Sequence, residues 1–71
     1  MTDPKFLAGL GARIKEMRIK KAMTQNDLAI QCNFEKASMS RIESGKTNIT
    51  VLTLRRISKA LDIEITEFFR N

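Results

Sequence analysis

Apolar residues along this chain recur at three- and four-residue steps and never alternate with polar ones over a sustained run, so the pattern predicts helices and no strands. Leu7, Leu10, Ile14 and Met17 form the first stripe. With Asp3 as N-cap and Pro4 in the first helical position, this helix is expected from about Pro4 to Lys21. Gly9 and Gly11 weaken its first half: either they admit a close neighbour or the ordered helix begins only near Leu10. Thr24 with Asp27 three residues on has the form of a capping box and opens a second helix, whose inner face is Leu28, Ala29 and Cys32. Asn33, which tolerates positive φ, ends it. A short turn leads to a third helix closed by Gly45, and Thr50 caps a fourth with Leu54, Ile57 and Leu61 on one face. A last short helix, about Ile65 to Phe69, carries Ile65, Phe68 and Phe69. The expected fold is all-α, a compact bundle of about five short helices.

The third helix has an unusual outer face. In NFEKASMSRIESG (33–45), Met39 and Ile42 share a buried stripe, which leaves Lys36, Ala37, Ser38, Ser40 and Arg41 outside. An ordinary solvent-facing helix would carry long Glu, Lys and Gln there. This face is mostly small and lightly basic, as if shaped to fit against something.

Charge sharpens that picture. Between Lys5 and Lys59 twelve Lys/Arg stand against Glu16, Asp27, Glu35 and Glu43, a local net of +8, whereas Ala60 to Asn71 holds three carboxylates against Arg70. Nucleic acid is the first partner such a basic body suggests, and an anionic membrane the second. Seventy-one residues make one domain with a thin core, for which oligomerisation is a second source of stability. The single Cys32 excludes an internal disulfide and reads as a small core residue. With neither a signal-length apolar run nor a stretch near the ~20 apolar residues of a membrane span, a soluble, cytoplasmic protein without membrane association is expected.

Helices two and three, joined by a tight turn, have the arrangement of a helix-turn-helix. Leu28, Ala29, Cys32, Phe34, Met39 and Ile42 fill its internal apolar places in order. On these residues, and on Arg18, MTQNDLA (23–29), SRIESGK (40–46) and ISKALDI (57–63), the chain resembles the Cro and phage-repressor type of helix-turn-helix protein, often called XRE. The likeness covers about Ile14 to Phe68. It implies a lambda-repressor-like DNA-binding domain over residues 1–71, with the helix-turn-helix at about 25–44 and a C-terminal helix at about 64–70.

The resemblance also implies roles. Gln25 matches a position whose side chain and backbone amide hold a DNA phosphate. Lys36, Ala37 and Arg41 match positions facing base edges in the major groove, with Ser40 and Ser38 beside them. Ser40 is grouped with the base readers; Ser38, Ser44, Lys46 and Asn48 are grouped with the backbone contacts. Arg18 and Glu43 match a structural ion pair joining helix one to helix three. For Arg41 a phosphate or Glu43-side contact stays open, and for Ala37 simple helix propensity stays open. Ala22, Asn33 and Asp62 stand where the family often has glycine, and Ile49 where proline is frequent; KTNIT there resembles the controller proteins of restriction–modification systems.

The expected function is sequence-specific, double-stranded DNA-binding transcription regulation as a homodimer on an inverted repeat. Ile63, Ile65, Phe68 and Phe69 are the apolar candidates for the dimer seam, with a core lid over helix one as the alternative. An enzyme is not expected: the chain has no His, no metal-ligand cluster and no phosphate loop, and Cys32 has no imidazole to activate it. No cofactor, metal or small-molecule ligand is expected. Two other readings stay open: a DNA-binding antitoxin whose acidic, apolar C-terminal helix holds a partner protein, and non-specific basic binding to nucleic acid or lipid.

Overall fold

The computed structural model describes residues 4–70. Four α-helices follow one another: α1 (Pro4–Lys20), α2 (Gln25–Cys32), α3 (Lys36–Glu43) and α4 (Val51–Leu61). The fifth element, Ile65–Phe69, is a 3-10 helix, so the expected count of about five helices becomes four α-helices and one 3-10 helix. Its tightness is local: Glu67 N–H donates to the Glu64 carbonyl at 3.0 Å, a three-residue closure, and five residues leave little room for four-residue bonds. Asp3, expected to cap α1, lies outside the described residues.

The other starts and stops follow side-chain chemistry. Thr24 Oγ1 accepts from Asp27 N–H at 3.0 Å while Thr24 N–H donates to Asp27 Oδ2 at 2.8 Å, closing a reciprocal capping box on α2. The Thr24 backbone N–H, and then its hydroxyl, hold the Asp27 carboxyl below the ordinary aspartate value. Because the folded value is the lower one, this cap is at full strength above the ordinary value and is lost as pH falls through the lowered one. Thr50 Oγ1 caps α4 by accepting from Thr53 N–H at 3.1 Å. Ala22, Asn33 and Asp62 all adopt positive φ, 57°, 60° and 57°. Asn and Asp visit this region with help from their short polar side chains; Ala22 has none and carries a strain of ~1 kcal/mol.

One core serves all the elements. Leu10 and Ile14 from α1, Leu28, Ala29 and Cys32 from α2, Met39 and Ile42 from α3, and Leu54, Ile57 and Leu61 from α4 meet there, and Phe68 closes it. Burial raises the Cys32 thiol, an effect opposed by the nearby Arg56 charge, and its Sγ–H points to the Arg56 carbonyl at 3.8 Å. Arg13 Nε donates to the Glu67 carbonyl at 3.1 Å and ties the 3-10 helix to α1.

The two glycines of α1 differ in kind. A Cβ on Gly11 would lie 2.5 Å from the backbone oxygens of both Ile42 and Glu43, whereas one on Gly9 would meet nothing within 4 Å. Gly11 is therefore the point at which α1 and the end of α3 touch backbone to backbone. Gly11→Ala is expected to destabilise by ~1–3 kcal/mol through overpacking. Gly9→Ala is expected to stabilise by ~0.5–1 kcal/mol through helix propensity alone. Urea melts of the two variants should shift in opposite directions.

Candidate nucleic-acid interface

Burial divides α3 cleanly. Met39, Ile42 and Glu43 face inward; Lys36, Ala37, Ser38, Ser40 and Arg41 are all exposed. The helix is held from behind by α2, across the turn Asn33–Glu35. There Phe34 N–H donates to the Ala29 carbonyl at 2.8 Å, closing the end of α2 before the chain reverses. Glu35 is the α3 N-cap but makes no side-chain capping bond, so the positive end of the α3 dipole is left open beside Lys36. Among the described residues Lys36, Arg41 and Lys46 have no carboxylate partner, in contrast to Arg13, Arg18 and Arg70, which are paired.

The flanks of this face come from two places. On one side is the start of α2, where the backbone N–H groups of Gln25 and Asn26 precede any intrahelical acceptor and only the third amide is capped by Thr24. On the other side is the α3–α4 loop, where Ser38 and Arg41 share a groove with Thr47 and Asn48. The resemblance gives Thr47 no role, although it gives one to Lys46 and Asn48 on either side; Thr47 lines the groove beside Ser38 and Arg41. Ser44 sits at the end of α3 with its hydroxyl donating to the Ser40 and Arg41 carbonyls at 2.9 and 3.2 Å and its N–H to the Ser40 carbonyl at 3.0 Å. Both of its donors are engaged inside the helix.

Behind the face lies a buried ion pair. Arg18 Nε and Nη2 donate to Glu43 Oε2 and Oε1 at 2.7 and 3.1 Å, and Arg18 Nη1 donates to the Met23 carbonyl at 2.8 Å. The two residues are 8% and 7% exposed, so the fork-to-carboxylate contact is largely shielded from water. Gln25 Nε2 adds a donor to Glu43 Oε1 at 3.2 Å, a contact eighteen residues long that no local pattern announces.

The candidate seam residues separate. Phe68, at 4% exposed, belongs to the core and is withdrawn from the seam, because its ring fills the space between α1 and α4. Ile63 and Ile65 are half-buried against the same core. Phe69 is 52% exposed, with its ring stacked on that of Phe6 at 6.5 Å between centroids. Val51 joins Phe6, Leu7, Ile49 and Phe69 around a shallow apolar depression of about 240 Å³. No helix among the described residues is long and apolar enough to cross a membrane, and no group of acidic, His or Cys side chains there could hold a metal ion.

Comparison with known proteins agrees with this geometry. The family HTH_3, described as helix-turn-helix, matches residues 14–68. The chain is 33% identical over 60 residues to the control protein C.MunI of a Mycoplasma species, covering 83% of this chain and 81% of that protein. It is 36% identical over 61 residues to the HTH-type transcriptional regulator SlrR of Bacillus subtilis, covering 84% of this chain and 40% of that longer protein. In structure it resembles the restriction-modification controller protein C.AhdI of Aeromonas hydrophila, with a TM-score of 0.86, 30% identity, and 89% and 96% of the two chains covered. With this family match over most of the chain, and with C.MunI and C.AhdI aligned over most of their own length, the chain belongs to the HTH_3 family of DNA-binding transcription regulators.

Proposed function

We propose that this regulator acts as a homodimer on an inverted-repeat operator in double-stranded DNA, in the cytoplasm, as the controller protein of a restriction–modification system. The exposed face of α3 carries this reading: five adjacent surface positions, three of them Ala or Ser, with Lys36 and Arg41 among them. A major groove about 12 Å wide admits a helix when its outer side chains are small, and longer cations at the edges then reach base acceptors. Arg41 and Lys36 suit guanine, Ala37 suits a thymine methyl, and Ser40 suits either. Gln25, Ser38, Lys46 and Asn48 take the phosphates on either side, with the free N–H groups at the start of α2 favouring an anion. Ser44 is left out of that set, because a phosphate offers only acceptors and both Ser44 donors are engaged.

One copy presents one α3 and measures 29 Å in its longest extent, less than the ~34 Å between successive turns of a DNA groove. Reading two half-sites therefore takes two copies, with half-site centres ~10–11 base pairs apart. The apolar depression around Val51 and Phe69 supports an isologous contact between them. Regulation then comes from protein concentration, through the monomer–dimer and dimer–DNA equilibria.

Alanine substitution tests the division of labour. Lys36→Ala and Arg41→Ala should each relax preference at one or two base positions by ~1–3 kcal/mol, whereas Gln25→Ala and Lys46→Ala should weaken binding to every duplex alike. Titration against an operator and its single-base variants reads both effects. The reverse pattern would exchange the assigned roles.

A further inference from the structure

The ion pair behind α3 does more than join two helices. Glu43 Oε1 receives two donors, Arg18 Nη2 at 3.1 Å and Gln25 Nε2 at 3.2 Å, while Oε2 receives Arg18 Nε at 2.7 Å. A carboxylate can only accept, so this contact fixes which end of the Gln25 amide faces inward: the nitrogen. One N–H of Nε2 is thereby held, and the second remains available beside the backbone N–H of the same residue. Gln25 is the first residue of α2, where the helix presents its open amides. Arg18 fixes the approach to that end as well, because its Nη1 holds the Met23 carbonyl two residues earlier at 2.8 Å.

We infer that Glu43 is a positioning residue for DNA binding: through its hydrogen bond to Gln25 it presets the side chain that meets a DNA phosphate at the start of α2. The inference rests on the phosphate role proposed for Gln25. Its physical basis is preorganisation. A free glutamine has three rotatable bonds and loses that freedom when it binds, whereas one already held by a buried carboxylate has lost it during folding. The negative charge of Glu43 would otherwise repel a phosphate nearby; Arg18, bound to both carboxylate oxygens, cancels it at the shortest distance available. Charge neutrality of the pair and orientation of Gln25 are thus two outputs of one network: the first removes a repulsion toward the phosphate, and the second places the donor that meets it.

Glu43→Gln disturbs both, and its combination with Gln25→Ala isolates the second. An amide has a single oxygen for three N–H donors, so one of the bonds from Arg18 or Gln25 must be lost. The experiment measures duplex affinity for wild type, Gln25→Ala, Glu43→Gln and the double variant, well below each melting temperature and with the folded fraction checked by circular dichroism. Gln25→Ala is expected to weaken binding to all duplexes about tenfold, Glu43→Gln about three- to tenfold, and the double variant no more than Gln25→Ala alone, since both remove the same oriented contact. Effects that multiply, an unchanged affinity for Glu43→Gln, or tighter binding because the carboxylate had competed with the phosphate would each overturn the inference. Failure of the wild type to bind any duplex would instead overturn the proposed function itself.

A second measurement needs no destabilised variant. In the wild-type protein, side-chain amide relaxation by NMR should show Gln25 Nε2 as ordered as the backbone, with exposed Gln31 as the mobile control. Equal mobility of the two amides would contradict the presetting.

Discussion

Replacing Arg18 with methionine should lower stability by about 3–5 kcal/mol, close to all that a core of this size supplies, and Glu43→Leu should do the same. The cost comes from what is left behind. Arg18→Met strands a carboxylate that is 7% exposed and removes the donor from the Met23 carbonyl, while Glu43→Leu strands a guanidinium that is 8% exposed. Two buried ions of opposite sign cancel; one alone must be solvated by a core that has no water to offer. The double variant Arg18→Met/Glu43→Leu should therefore recover much of the loss, because apolar groups of similar volume leave neither charge unpaired. Urea denaturation of the four proteins checks this, and single variants within ~1 kcal/mol of wild type would show that the pair is better hydrated than its burial implies.

Phe69→Glu should give a folded monomer whose operator affinity is lower by about a hundredfold or more, since two linked recognition helices gain 10²–10⁴ over one without any new contact. Phe69 is half exposed and outside the core, so a carboxylate there costs the monomer little beyond its stacking on Phe6. Between two copies it would bring like charges into an apolar contact. Its neighbour behaves oppositely: Phe68→Glu would place a charge at a site 4% exposed and should unfold the chain. Sedimentation and duplex titration read the two outcomes together. Unchanged sedimentation of Phe69→Glu would move the seam away from Val51 and Phe69.

What could be read from residue order was whatever is local. Thr24 and Asp27 are three apart, Met39 and Ile42 are three apart, and Thr50 precedes an amphipathic run, so the start of α2, the inner face of α3 and the start of α4 follow from spacing alone. The left-handed turns at Asn33 and Gly45 are equally local. Contacts between distant residues were not legible from spacing; the Arg18–Glu43 pair came only from the family resemblance. Gln25 reaches Glu43 across eighteen positions, and Phe6 meets Phe69 from near the other end of the chain, because the tertiary fold brings together residues that no period relates. Phe68 and Phe69 could not be told apart for a related reason: at 3.6 residues per turn both rings lie near the Ile65 side, whereas at 3.0 Phe68 eclipses Ile65 and Phe69 turns away, and residue order does not announce which winding holds. Gly9 and Gly11 posed the same difficulty, resolved only by the position of the α3 carbonyls.

The α3 face is where local pattern and tertiary placement meet, and its use is the central claim. Selection of bound duplexes from a random DNA pool at ~0.15 M salt, a condition at which non-specific phosphate binding is weak, tests it most directly. The account predicts enrichment of an inverted repeat whose half-site centres lie ~10–11 base pairs apart. Binding retained without enrichment of any sequence would contradict it, leaving Lys36 and Arg41 as phosphate contacts and the bare face without a code to read.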